Sequence, residues 1–411
     1  MHIQAGSRDE SVEDSGISHF LEHMLFRGTK RFPTSVELAT ALEHLGGDNN
    51  GYTDHETTAY WLRGRASRFT DGLDVFSEFF FNPNFADIEI ERQILLQELA
   101  GDYNESGHCV DTFSLATQAL YGKHPLGKPI IGFRENLLKI SVERLQRWRS
   151  LYYRPENCIF VVSSPVDFEH DLKHLERFFA HPWSGLSETR PQRLSAPTIS
   201  SLERAKTRIE NHTDAQLSLR VLFPAYGGSS QKVVAQTFLQ RLLDDGIASR
   251  LPSSVREQAG LAYDITCDMS ILTDTGNCAI DATVSEESFA PLLAILKVEF
   301  DRLLQDKPSP AEMDRVRNRY AFSLETLHED LSSYLDYLVW NNFLPRSLSP
   351  WEELEVVREL TAADIQDVAR EILGSSANAG ALVGPGARRH SSALHRFLET
   401  LPQPIAPNKG F

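Results

Sequence analysis

Three residues in one short apolar segment carry the sharpest chemical signal in the chain. Residues 16–26 read GISHFLEHMLF, with no proline and an apolar majority, which predicts a buried helix. At about 100° per residue, His19 and His23 fall about 40° apart on one face of that helix, one turn apart. Two imidazoles so placed can grip one zinc ion, each at about 2.0–2.1 Å. Glu22 flanks the same edge, and its place suits the water side of a metal rather than the ligand side. The spacing H-x-x-E-H is the inverted form of the better-known zinc motif. A helix that also buries Phe20, Leu21, Leu25 and Phe26 gains nothing from three ionisable groups unless something pairs them.

A catalytic zinc needs a third protein ligand and an open position for water. The best candidates lie in residues 88–99, IEIERQILLQEL, where apolar residues at 90, 94, 95 and 99 make a helical stripe. Glu91 and Glu98 are seven residues apart, close to two whole turns, and therefore share a side. Either could reach a metal held by a neighbouring helix, with the other behind it, bonded to a ligand. A solvated acidic face is the competing reading, and Glu89 fits it.

These segments need scaffolds, and the chain supplies two of similar design. A helical stretch at 141–153, a turn with Asn157 and a strand-like run at 158–162 recur as 361–373, a turn with Asn378 and 379–383. Strand pairs are expected at 49–53 with 57–63 and at 262–271 with 276–284, each followed by a long helix, 67–80 and 287–304. Between the halves, Pro182, Ser184, Gly185, Ser187, Pro191, Ser195 and Pro197 mark a linker. The expected organisation is α+β: two homologous sheet-plus-helices domains, 1–181 and 204–411, joined by residues 182–203. The second half has a full strand at 216–223 where the first has only residues 2–5, so the first strand of domain 1 reads as truncated.

Composition narrows the function classes. With 41 basic and 57 acidic residues the net charge is −16, which disfavours a general binder of nucleic acid or anionic membrane. No apolar run approaches the ~20 residues of a membrane span, and no leader pattern is visible at the start. The four cysteines, Cys109, Cys158, Cys267 and Cys278, form no metal-binding spacing and are expected to be free thiols, consistent with a cytoplasmic setting. Cys267 and Cys278 fall on two neighbouring strands, where a bridge is possible but nothing in the pattern supports one.

Residues 6–10 (GSRDE), 16–29, 46–53 and 91–98 together resemble the pitrilysin family of zinc metallopeptidases, which includes insulin-degrading enzyme and mitochondrial processing peptidase. The family signature places a glutamate ligand roughly 75 residues after H-x-x-E-H, and Glu98 stands 75 beyond His23. The resemblance implies a half-clamshell metallopeptidase fold, with His19, His23 and Glu98 as zinc ligands, Glu22 as general base, and Glu91 supporting a ligand from behind. It also implies that Arg256 and Tyr263, seven residues apart in the second half, clamp substrate carbonyls and donate to the oxyanion. Residues 46–53 resemble the family's substrate-binding edge strand, which implies Asn50 and Gly51 as substrate contacts, Gly51 standing where alanine is usual. The activity implied is zinc-dependent endopeptidase cleavage of peptides or unfolded polypeptide segments inside an enclosed chamber. A homodimer is the simplest assembly, with a heterodimer of related subunits as the variant. A non-catalytic scaffold or assembly subunit of the same family, and a protease dedicated to one precursor, are the competing readings.

Overall fold

The computed structural model describes residues 1–165, 167–180, 192–197, 202, 206–344 and 348–401. They fall into two compact units, one of residues 1–101 and 128–194, the other of residues 102–127 and 195–411. In chain order the helices of the first half are α1 (Ile17–Leu25), α2 (Ser35–Glu43), α3 (Phe69–Phe81), α4 (Ile88–Gly101), α5 (Thr112–Tyr121), α6 (Arg134–Leu137), α7 (Val142–Tyr152) and α8 (Phe168–Phe179). Those of the second half are α9 (Val233–Leu243), α10 (Phe289–Gln305), α11 (Pro310–Glu325), α12 (Leu331–Phe343), α13 (Pro350–Glu359), α14 (Ala362–Ile372) and α15 (Ser391–Thr400).

The first unit is built on a sheet of β1 (His2–Ile3), β2 (Asn49–Thr53), β3 (Thr58–Leu62) and β4 (Cys158–Ile159), ordered β2-β3-β1-β4 and antiparallel throughout. The run expected at 158–162 forms a ladder over two residues only, because its neighbour β1 offers only His2 and Ile3 to pair with. An aromatic group of Phe26, Tyr60, Phe76, Phe79, Phe80 and Tyr153 packs the interior. The Tyr60 and Tyr153 hydroxyls bond each other there at 2.7 Å, which satisfies two buried phenols.

The second unit repeats the plan with one strand more: β5 (Lys206–Asn211), β6 (Leu217–Ala225), β7 (Ala262–Ile271), β8 (Gly276–Val284) and β9 (Ala379–Gly384), ordered β5-β9-β6-β8-β7. Removing β5, which pairs parallel to β9, leaves an order matching β4-β1-β3-β2 of the first sheet. Alternation then assigns faces. Leu217, Leu219, Val221 and Phe223 join the core beneath α9, α10, α14 and α15, whereas Leu222, Ala279, Ala381 and Val383 turn the other way.

That other face is covered by α5, whose Leu115, Ala116, Ala119 and Leu120 pack onto it. Residues 102–127 therefore belong to the second unit, although they lie within the 1–181 expected as one contiguous domain. Helical period and composition do not tell which sheet a helix in this stretch covers. The expected linker 182–203 is described only at 192–197 and 202; the remainder lies outside the described residues. Residues 193 and 194 are held to the first unit, where Arg193 makes two hydrogen bonds to Asp9, at 2.8 and 2.7 Å, and Arg8 donates to the Leu194 carbonyl at 2.8 Å; Ala196 N–H donates to Asp274 of the second unit at 2.8 Å. All four cysteines are free, with the buried Sγ atoms of Cys267 and Cys278 3.7 Å apart. Among the described residues, no helix is long and apolar enough to cross a membrane.

Candidate metal centre

Helix α1 starts at Gly16, whose φ of 91° lies in the left-handed region; a Cβ there would meet the Ile131 carbonyl oxygen at 2.5 Å. Its free amides are capped by a carboxylate from outside the helix. Glu10 accepts from Gly16 N–H at 2.8 Å and from Ser18 N–H at 2.9 Å. Ile17, Phe20, Leu21, Met24 and Leu25 are buried along α1, which fixes its rotation and turns His19 and His23 toward α4. Arg92 on α4 stacks its guanidinium 5.3 Å from the Phe20 ring centre and donates to the Ile140 carbonyl at 2.8 Å, anchoring α4 against α1.

The three expected ligands converge. The Nε2 atoms of His19 and His23 are 3.2 Å apart, and the Glu98 oxygens lie 3.8 Å from each. In a tetrahedral zinc site with bonds near 2.05 Å, ligand atoms sit about 3.3 Å from one another, so two nitrogens and one carboxylate oxygen at these spacings fit the ion. Among the described residues this is the one set of three or more His, Cys, Asp or Glu able to surround a metal. His23 Nδ1 and a Glu91 oxygen are 2.7 Å apart, so Nδ1–H donates to the carboxylate and Nε2 is left facing Glu98. Glu91 is in turn 3.4 Å from Arg27 Nε. Glu91 is thus the buried partner of His23 Nδ1, and Glu98 is the half-exposed one that faces both Nε2 atoms.

Burial, reinforced by the charge of His23, lowers His19 to about 3, so its imidazole is neutral and able to ligate at neutral pH. For His23 burial pulls the same way, but the Glu91 hydrogen bond and the charges of Glu22, Glu91 and Glu98 outweigh it and leave the group raised. Glu22 is raised by burial, with Glu98 adding to the effect and the Thr53 hydrogen bond and His23 opposing it. A carboxylate raised in this way accepts a proton more readily than an exposed one.

Strand β2 is the sheet edge beside this cluster. Gly51 faces Glu22, while Asn50 is exposed on the alternate face with its Oδ1 accepting from Gly51 N–H at 2.9 Å. Arg256 and Tyr263 come together in the second unit. The Arg256 guanidinium lies 5.2 Å from the Tyr263 ring centre, next to an irregularity in the β7–β8 pairing between Ala262 and Ile265. Tyr263 is 86% exposed, an unusual cost for a strand aromatic. Sequence reasoning singled out neither Glu10, which caps α1, nor Thr53, whose hydroxyl donates to Glu22 at 2.9 Å. The two-residue period from Gly51 was the signal for Thr53.

Two α+β units, one of them carrying a His–His–Glu cluster on adjacent helices, define a recognisable class. Residues 1–133 match the model described as insulinase, peptidase family M16, and residues 139–320 match that of the peptidase M16 inactive domain. The chain belongs to the M16 peptidase family. A relative from Rickettsia bellii named as a zinc protease is 29% identical over 392 residues, spanning 93% of this chain and 90% of that protein. A protease structure from Helicobacter pylori matches the fold with a TM-score of 0.83 at 21% identity, over 93% of this chain and 92% of that one. A chain of complex III from Candida albicans does so at 0.75 and 15% identity, over 96% and 93%.

Proposed function

We propose that the chain is a zinc-dependent endopeptidase, and the convergence of His19, His23 and Glu98 beside the Glu22 carboxylate carries that reading. The three ligands would hold the ion, and bound zinc would supply Lewis acidity and bring the pKa of water toward ~7. His23 is oriented by Glu91. Glu22 takes the proton of the attacking water and delivers it to the leaving amine. Arg256 and Tyr263 are assigned to the substrate carbonyl and the oxyanion, a guanidinium and a phenol both being suited to developing negative charge.

Peptides or unfolded segments are the proposed substrates. An extended main chain can add to the β2 edge, where Asn50 and Gly51 sit, whereas a folded protein offers few free strands. Two copies of the chain are proposed to act together.

The test is metal content of the purified chain together with cleavage of a quenched fluorescent peptide, with and without chelator. We expect about one zinc per chain and chelator-sensitive cleavage. Glu22→Gln should keep the zinc and lose about 10²–10⁴-fold in kcat. A non-catalytic scaffold predicts no cleavage and no effect of Glu22→Gln.

A further inference from the structure

The Glu22 carboxylate is gripped by the edge strand at two points. Thr53 Oγ1 donates to Oε2 at 2.9 Å. Two residues back on the same face, a Cβ on Gly51 would stand 3.0 Å from Oε1 and 3.1 Å from Cγ, so the missing side chain makes the space in which this carboxylate lies. The strand that bears both residues is fixed in register by β3, with Gly51 opposite Tyr60 and Thr53 opposite Thr58. The two oxygens are therefore not equivalent. One is committed to a hydroxyl donor, and the other lies over a glycine.

We propose that Thr53 is a positioning residue for Glu22: its hydroxyl holds Oε2, fixes the carboxylate plane and leaves Oε1 as the atom that accepts the proton of the attacking water. The proposal rests on the reading of Glu22 as the base. Threonine suits the task better than serine because its β-branch restricts χ1 on a strand and so fixes where the hydroxyl points. The bond is of the charge-assisted kind, neutral hydroxyl to carboxylate, whose loss is expected to cost more than that of a neutral pair. An unheld carboxylate can rotate about its last torsion, which is broad and has no staggered wells to stop it. The fraction of time that Oε1 faces the water then falls, and with it kcat, while substrate affinity is untouched.

Thr53→Val keeps the branched shape and strand preference and removes only the donor. Its kcat should fall about 10- to 100-fold, the range for a hydrogen bond to a charged group, with KM within about twofold and zinc content unchanged. Thr53→Ser should recover kcat to within about fivefold of the parent. Should the valine variant not fold, Thr53→Ala serves as the donor-free form, compared with serine in the same way. In the Glu22→Gln background the valine change should have no further effect. A valine variant with parental kcat, a loss expressed in KM alone, or a serine variant as slow as valine each overturns the proposal. A parent chain that cleaves, with Glu22→Gln inactive and Thr53→Val fully active, overturns this inference alone. A parent chain without chelator-sensitive cleavage overturns it together with the function it rests on.

Discussion

Helices α1 and α9 occupy equivalent places in the two units, each following the strand that sits third from the β2 or β7 edge, and they treat buried polarity in opposite ways. On α9, Gln236 is fully buried and has both ends of its amide paired, accepting from Tyr226 N–H and donating to the Tyr226 carbonyl, both at 2.9 Å. Both polar atoms of that amide are therefore committed to one backbone neighbour. On α1, His19 and His23 present Nε2 atoms to each other and to Glu98, and the buried Nδ1 of His19 has no hydrogen-bond partner among the described residues. Their starts differ as well. A carboxylate, Glu10, accepts from Gly16 and Ser18 N–H at the start of α1, whereas the start of α9 has a neutral hydroxyl, Ser230 accepting from Lys232 N–H at 3.1 Å. A repeated scaffold thus becomes a candidate site in the copy that leaves donor atoms uncommitted. An ion held by the two Nε2 atoms would offset the cost of burying them side by side, which is of order 1–3 kcal/mol for each buried polar group.

Removing the uncommitted atoms should erase the contrast. His19→Ala/His23→Ala is expected to lose bound zinc and all cleavage while the chain still folds, as measured by metal analysis and circular dichroism. Retention of stoichiometric zinc would break the assignment of the ligands.

Next in size is the cap. Burial raises the Glu10 carboxyl to about 7, against the pull of Lys128 and of the amides of Gly16 and Ser18. The native state therefore keeps a proton that the unfolded chain gives up near 4.5, so more protons are bound in the native state over that window and stability falls as pH rises through it. Across the 2.5 units the loss is about 3 kcal/mol, and Glu10→Gln should flatten that slope in urea unfolding at pH 5 and 7.5. An unaltered slope would show that the cap is held no differently from an exposed carboxylate.

The smallest change expected is on α9. Gln236→Ala leaves the Tyr226 N–H and carbonyl unpaired and should cost about 1–3 kcal/mol in urea unfolding, without altering zinc content or kcat. A loss of zinc would mean that the two units do not divide structural and chemical work as described.

Much of this was legible in the sequence, for reasons that differ by element. Strands β7 and β8 have the bounds expected, since each is a long β-prone run delimited by turn residues, though their pairing shifts register between Ala262 and Ile265. The α1 histidines could be read because a 3.6-residue period fixes their relative direction. The different surroundings of Glu91 and Glu98 could not, since seven residues is nearly two turns and both share a side; the packing of α4 buries Glu91 against His23 Nδ1 and leaves Glu98 half-exposed before the Nε2 atoms. Strand β4 stopped short of its apolar run because pairing depends on a neighbour, and β1 is two residues long. The role of Thr53 was hidden by reading residues 46–53 as a backbone edge for substrate, without following which side chains that edge turns inward.

Helix α5 is the feature with the widest reach. The chain passes from the first unit to the second at 101/102, returns at 127/128, and passes again at 194/195. A protease nick near residue 190 would therefore not liberate two independent pieces, because the 102–127 excursion stays threaded between them. By the same logic, expressing residues 1–181 alone would strand an apolar helix in water, and 204–411 alone would bare one face of its five-stranded sheet. Co-expressing the two fragments, by contrast, should let α5 find its sheet and reunite them without a covalent link.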